Sequence, residues 1–342
     1  MTATTKAVPT RFESLHNHTK ASDGPYTYLE LMQAAQDHQY GVMALTDHDV
    51  VISEKDLKIL RDYAGPTKWL SGIEISSGLP KELGGGATTM FHILGYFVDP
   101  TNQALLDHCH TATAARVERM ERIVKNLRSI GFDITVEDCM AESDGETVGR
   151  RNIANALKRS PRYELVMDRI KAQMADEAKQ DPEVAMDYLR LFDTPKNDHP
   201  FQLFLSEDSY LGGIYVDYLY NIDMDASVKL IRDAGGVAFI AHWSTVCRKI
   251  DAEMLEQMII DKRLDGIERE WKVFDDTVGV AKKAIPPILQ RNNVMGTWGL
   301  DAHNLIDIDR FTRDEEASQA SVGQTQALID RFKPDLTYSN LG

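Results

Sequence analysis

The chain has 342 residues, 43% of them hydrophobic and 27% charged, enough for one large domain or for a core domain with an insertion. Its net charge of −15 argues against a protein that tracks a long nucleic-acid duplex by electrostatics. Small anionic substrates stay open, because bound divalent cations reverse the sign locally. Cys109, Cys139 and Cys247 form no Cys-x-x-Cys pair, so neither a disulfide framework nor a thiolate zinc site is indicated. The first residues carry no apolar signal-like run, and no stretch reaches membrane-spanning length, so a cytoplasmic protein without a membrane partner is expected.

Residues 11–15 alternate like a strand and lead into His16-Asn17-His18-Thr19-Lys20-Ala21-Ser22-Asp23-Gly24. Residues two apart on a strand share a face, so His16 and His18 can reach one cation from a strand end, with Asp23 on the next turn adding an oxygen. Apolar strand-like runs at 41–46, 69–75 and 91–98 then alternate with helical spacing at 28–38 and 53–63. That rhythm predicts parallel strands joined by crossover helices. From 101 to 222 the pattern changes: Leu105, Leu106, Val117, Met120, Ile123, Val124 and Leu127 recur at helical intervals, with further helices near 152–159 and on through 191. The rhythm returns with helices at 226–232, 252–260 and 277–291 and strands at 237–241, 266–268 and 294–298. The predicted division is therefore 11–100 with 223–308 as a β/α core, 101–222 as an α-helical insertion, and 309–342 as a polar C-terminal tail with one helix and no assigned role.

Candidate ligands recur at strand ends. His48 follows the 41–46 run, Glu74 closes the next, His242 follows 237–241, and Asp301 and His303 follow 294–298. In a β/α barrel such positions converge on one face. His92 opens its run and fits only if that strand takes another direction or the turn is extended. Nine candidates exceed one ion's needs, which points to two or three ions bridged by a carboxylate, Glu74 or Asp301. Imidazole and carboxylate without thiolate suit Mn²⁺, Fe²⁺ or Zn²⁺. Asp47 and Asp49 flank a ligand and are read as orienting it or capping the next helix. His108 and His110 lie on a predicted helix, where residues two apart do not share a face, and are read as solvated, as are His38 and His199. Glu268, at a strand end, either touches the site or does not.

Six segments taken in order resemble the polymerase-and-histidinol-phosphatase (PHP) superfamily of metal-dependent phosphoesterases. They are Leu15-His16-Asn17-His18 through Gly24, Ala44-Leu45-Thr46-Asp47-His48-Asp49, Ser71-Gly72-Ile73-Glu74-Ile75, Phe91-His92-Ile93-Leu94-Gly95-Tyr96, Ala234 through His242, and Gly299-Leu300-Asp301-Ala302-His303. The resemblance implies an α/β fold, a distorted barrel of seven β/α units with a trinuclear metal site and an α-helical insertion. It implies one metal on His16, His18, Glu74 and Asp301, a second on Asp23, His48 and His303, and a third on Glu74, His92 and His242. It is similar in particular to the subgroup that removes phosphate from nucleoside 3′,5′-bisphosphates or trims short oligonucleotides from the 5′ end.

The chain departs from the family where substrate is expected to bind. Trp243 stands where Pro is usual and Leu300 where Ser is usual. Gly149-Arg150-Arg151-Asn152 keeps the Arg of a family segment but replaces its His, and the stretch from about 161 to 206 is longer than usual. The expected activity is metal-assisted hydrolysis of a small phosphorylated substrate, a nucleotide first, with a sugar-phosphate or histidinol-phosphate-like monoesterase as the alternative. An amide or cyclic-amidine hydrolase is disfavoured by the paired arginines, and a non-catalytic PHP-like module by the complete ligand set. Arg150, Arg151 and Lys20 are candidates for phosphate, Trp243 for either base stacking or wall packing, and His303 or a water for the leaving-group proton.

Overall fold

Strand and helix alternate through the first hundred residues of the computed structural model, which describes residues 12–85, 90–143, 147–192, 199–272, 276–303 and 305–341. The N-terminal run read as lacking a signal, and Arg11 of the first strand, lie outside those residues. Contacts divide the chain into two units, 1–112 with 221–342, and 113–220.

The first unit is built on eight strands: β1 (Phe12–Ser14), β2 (Tyr40–Leu45), β3 (Lys68–Gly78), β4 (Met90–Tyr96), β5 (Ile222–Asp223), β6 (Val237–Ile240), β7 (Gly266–Glu268) and β8 (Met295–Thr297). They run β1-β2-β3-β4-β6-β7-β8 across the sheet, with β5 on β3. Helices α1 (Tyr28–Asp37) and α2 (Glu54–Arg61) make the early crossovers. Thr27 begins α1 with a capping box, its side chain accepting from Glu30 N–H while Glu30 answers its own N–H. The strands are not all parallel as expected: β4 runs antiparallel to both β3 and β6. Only eleven residues separate the end of β3 from the start of β4, fewer than a parallel crossover takes, and the pair is antiparallel.

Sheet closure comes from the segments that leave β1 and β8. Leu15 N–H donates to Trp298 O at 3.0 Å, and Asp301 N–H donates to His16 O at 2.9 Å. Two segments that carry candidate ligands are thus hydrogen-bonded to one another. Gly299 permits the approach, since a Cβ there would stand 2.3 Å from His16 Cβ. The interior below is apolar: Leu15, Val42, Ala44, Leu70, Leu94, Tyr96, Phe239 and Ala241 are buried together.

The C-terminal stretch differs from the one-helix polar tail expected. After α9 (Met224–Asp233), α10 (Ala252–Ile260) and α11 (Asp276–Asn292), the chain forms α12 (Leu305–Arg313), α13 (Glu315–Ala320) and α14 (Gln324–Phe332). Leu328 joins the barrel interior with Ile329 and Phe332 beside it. Glu13 on β1 accepts the N–H groups of Gly323 at 2.9 Å and Thr325 at 2.7 Å, fixing the start of α14. The polar residues that made this stretch look like a tail are its solvent face and its caps.

The second unit is helical. It takes α3 (Gln103–Ser129) from Thr113 onward, then α4 (Val136–Met140), α5 (Arg150–Arg159), α6 (Tyr163–Glu177), α7 (Pro182–Phe192) and α8 (His199–Phe204). Its own core includes Met120, Ile123, Leu127, Phe132, Leu157, Met174, Leu203 and Phe204. Asn152, which stands where the resembled family has His, shapes the backbone around it. Its Oδ1 accepts Gly149 N–H at 2.8 Å, capping α5, while its Nδ2 donates to Glu142 O at 2.8 Å. No helix among the described residues is long and apolar enough to cross a membrane.

Candidate metal centre

Glu74 lies in the middle of β3, its side chain fully buried, and its two oxygens face five imidazoles. Oε2 stands 3.1 Å from His16 Nε2, 3.2 Å from His18 Nε2 and 2.9 Å from His48 Nδ1. Oε1 stands 3.0 Å from both His92 Nδ1 and His242 Nε2. His92 reaches this point because β4 is antiparallel, pairing Ser76 with His92 and Glu74 with Leu94. The strand direction that its position in the sequence required is the one present.

Asp301 gathers the other side. Its Oδ1 lies 3.2 Å from His18 Nε2, 3.3 Å from His303 Nδ1 and 3.7 Å from His16 Nε2. Asp23 Oδ1 lies 3.5 Å from His303 Nε2 and 3.9 Å from His48 Nε2. All nine sequence candidates are therefore in one cluster. His16 and His18 sit in the loop beyond β1, not on the strand itself, with their Nε2 atoms 3.2 Å apart. Asn17 between them turns away, donating to Ser14 O and Ala44 O and so fixing the loop.

The donor set fits divalent metal ions. Donor atoms of His16, His18 and Glu74, of His18, Asp23, His48 and His303, and of His48, Glu74 and His92 each lie within 4.8 Å of one another. Glu74 Oε2 and His48 Nδ1 are buried 2.9 Å apart without hydrogen-bond geometry, as donor atoms of a metal site are. A buried carboxylate with five imidazoles is costly unless charge is balanced, which cations or protons supply. Burial disfavours charged imidazole, yet hydrogen bonds to Asp301 and Glu74 raise His18 to about 10. Against the same penalty, Glu74 raises His242 to about 9, and Glu74, Glu268 and Asp301 hold His16 well above its ordinary value. For His92 burial wins, lowering it to about 4 despite Glu74. Glu74 and Asp301 are driven well below the carboxylate range, burial being outweighed by His16, His48 and His92 for the first and by His303, Lys272 and His16 for the second.

The flanking acids hold the loops. Asp47 accepts the N–H of Thr19 at 2.7 Å and its hydroxyl at 2.8 Å, fixing the turn that ends in Asp23. Asp49 accepts Ser76 N–H at 2.8 Å, and the cap of α2 is Ser53 instead. Glu268 does touch the site: its Oε1 is 2.9 Å from His16 Nδ1, and its Oε2 accepts His242 N–H at 2.9 Å. Lys272 and Asp307, which no motif marked, bond to the Asp301–His303 segment.

His108 and His199 sit otherwise than expected, and Trp243 takes one of its two expected roles. His108 is buried, not solvated, 3.5 Å from Asp49 Oδ1, because the first turns of α3 pack Leu105 and Cys109 into the barrel core; His110 beside it is exposed. Trp243 is 1% exposed and donates its indole N–H to Ile250 O at 2.7 Å, so it is wall and offers no face for stacking. His199 is half-buried and bonded to Leu191 O at 2.9 Å.

Lys20 stays partly exposed, 3.7 Å from Glu30. In the helical unit Arg150 donates to Leu205 O at 2.9 Å, and the guanidiniums of Arg150 and Arg151 lie over the Phe201 ring. Arg119 is 5% exposed, with its Nε on Val216 O, its Nη2 without a hydrogen-bond partner, and its Cζ 3.9 Å from the centre of the Tyr218 ring. Burial pushes the Tyr218 phenol up, but Arg150, Arg119 and Arg116 together bring it below its ordinary value. Such crowding of guanidiniums favours an anion.

No family model matches the chain. Among curated proteins it is 30% identical over 148 residues to a 5′-3′ exoribonuclease of Haemophilus influenzae, covering 43% of this chain and 51% of that one. It is 25% identical over 162 residues to the 5′-3′ exoribonuclease Rnm of Escherichia coli, covering 47% and 53%. It is 28% identical over 144 residues to a 3′,5′-nucleoside bisphosphate phosphatase of Chromobacterium violaceum, covering 42% and 48%. The chain thus spans about half the length of the curated relatives it matches. Among solved structures, one described as a metal-dependent phosphoesterase of Bifidobacterium adolescentis superposes with a TM-score of 0.61 at 22% identity, covering 86% of this chain and 89% of that one. An amidohydrolase of Chromobacterium violaceum, solved with sulfate bound, gives 0.56 at 22% identity, covering 85% and 87%. At that identity the likeness is one of fold.

Proposed function

We propose that this chain, a member of the PHP superfamily by its fold, motifs and relatives, hydrolyses a phosphate ester of a small nucleotide. A nucleoside 3′,5′-bisphosphate or the 5′ end of a short oligonucleotide is the leading substrate, in line with the names of its relatives. The observation that carries the reading is Glu74 at the centre of the imidazole cluster, its two oxygens serving separate sets of ligands.

Two or three divalent ions are assigned to these residues. His16, His18, Glu74 and Asp301 would hold one, Asp23, His48 and His303 a second, and Glu74, His92 and His242 a third. When bound, Mn²⁺, Fe²⁺ or Zn²⁺ supplies activated water and positive charge for the phosphate oxygens. Glu268 keeps the His16 ring turned so that Nε2 faces Glu74. His303 is the proposed donor of the leaving-group proton. Lys20 adds charge beside the first motif, and Arg150, Arg151 and the Arg119–Tyr218 pair are the proposed phosphate contacts within the helical unit.

A phosphate-release screen with Mn²⁺ tests this directly, comparing nucleoside 3′,5′-bisphosphates, short 5′-phosphorylated oligonucleotides and simple monoesters, with His18→Ala as the blank. Release from the nucleotides by the parent alone supports the reading. Equal release by parent and blank refutes it.

A further inference from the structure

Trp271 and Lys272, the third and fourth residues beyond the end of β7 at Glu268, turn their polar atoms onto the segment that carries Asp301 and His303. Trp271 Nε1 donates to Gly299 O at 2.7 Å. Lys272 Nζ donates to the carbonyl of Asp301 and lies 3.2 Å from Asp307 Oδ2. The same Asp307 oxygen accepts His303 N–H at 3.4 Å. A cation therefore holds the carbonyl of one ligand and an anion the N–H of the other. Asp301 needs holding: its φ of 44° is left-handed, a conformation an L-residue adopts at a cost. Lys272 and Asp307 are 9% and 4% exposed, and buried ion pairs rarely stabilise more than apolar residues of the same volume. Stability alone is thus a poor reason for this pair.

We infer that the buried Lys272–Asp307 pair is a positioning device for the metal centre, holding the Asp301–His303 segment in the left-handed turn that aims the Asp301 carboxylate at His18 and the His303 ring at Asp23. It touches neither substrate nor metal and acts through the two ligands. The inference rests on the metal reading proposed above.

The test is a titration of the chelator-stripped full chain with Mn²⁺, free Mn²⁺ being read by electron paramagnetic resonance. The proteins are the parent, Lys272→Met, and the double variant Lys272→Met with Asp307→Leu. Leu264→Ala, a core truncation ahead of β7, serves as a control of reduced stability. Removing both charges leaves no unpaired ion in the interior, so the double variant keeps the test alive if the single one does not fold. The expected result is Mn²⁺ binding weakened about tenfold to hundredfold in the Lys272 variants, as for other groups that orient metal ligands, with parental affinity in the control. Parental affinity in a folded Lys272 variant, or a loss that the control shares in proportion to its thermal midpoint, overturns the inference and leaves the metal reading standing. A parent that binds no Mn²⁺ overturns both.

Discussion

His16 Nδ1 donates to Glu268 Oε1 at 2.9 Å, beneath the cluster of candidate ligands. In the metal-free chain Nε2 of the same ring stands 3.1 Å from Glu74 Oε2 and 3.7 Å from Asp301 Oδ1; with a metal bound, the Glu268 bond would keep the remaining proton on Nδ1 and leave Nε2 for the ion. The other oxygen of Glu268 takes the N–H of His242, whose φ is 23°. One carboxylate thus orders two ligand-bearing segments from different strands.

Replacing that acceptor weakens the site without emptying it. Glu268→Gln is expected to lower metal affinity about tenfold to hundredfold, because an amide holds the ring but gives less charge to it. Metal titration of the stripped protein reads the change, and an unchanged affinity contradicts the orienting role.

In the proposed assignment Glu74 serves two ions and every other residue one. Glu74→Ala is expected to abolish multinuclear binding, whereas His92→Ala is expected to remove only the ion proposed for Glu74, His92 and His242. Elemental analysis of the two purified variants separates these outcomes. Equal metal content in both runs against a bridging role for Glu74.

The metal-free chain carries a pH signature. His18 and His242 stand at about 10 and about 9, above the ordinary 6.5, so their contribution to stability is complete below about 6.5. It is lost as pH rises through 9 and 10. Glu74 and Asp301, held below the carboxylate range, contribute above it, and that part is lost only in acid. The thermal midpoint of the stripped protein is therefore expected to fall from pH 6.5 to pH 10. Metal binding at neutral pH must displace protons, so affinity rises with pH. Calorimetry in buffers of different ionisation enthalpy measures the release, and binding without proton release opposes this charge assignment.

Trp243 and Arg119 separate wall from recognition. Trp243→Phe loses the bond to Ile250 O, a cost of about 1 kcal/mol in stability, and is expected to leave KM unchanged. Arg119→Met is expected to raise KM for a nucleoside bisphosphate about tenfold or more, the worth of a charge-assisted hydrogen bond, while leaving a simple monoester unaffected. Thermal melts and paired KM values check both, and a KM effect confined to the tryptophan variant reverses the two roles.

The clustered candidates are legible in the sequence because metal chemistry restricts residue type and a β/α rhythm restricts place: a His or acid just after an apolar run needs little more context. His92 shows the edge of that logic, since only the direction of β4 brings it to Glu74. Lys272 is invisible for a different reason. It grips a backbone carbonyl, which leaves no mark on spacing or composition. His108 escapes because helical periodicity tells which residues share a face but not which turns are buried. The C-terminal helices look like a tail because their few apolar residues, Leu328 and Phe332 among them, close a barrel that the rest of the chain builds.

The central claim is that hydrolysis depends on metal held around Glu74. Phosphate release from a nucleoside 3′,5′-bisphosphate, measured on chelator-stripped chain before and after Mn²⁺ is restored and on Glu74→Ala treated alike, tests it most directly. Activity that vanishes with the metal, returns with Mn²⁺ in the parent and never returns in Glu74→Ala is the expected result. Undiminished release by the stripped parent, or restored release by Glu74→Ala, contradicts the claim.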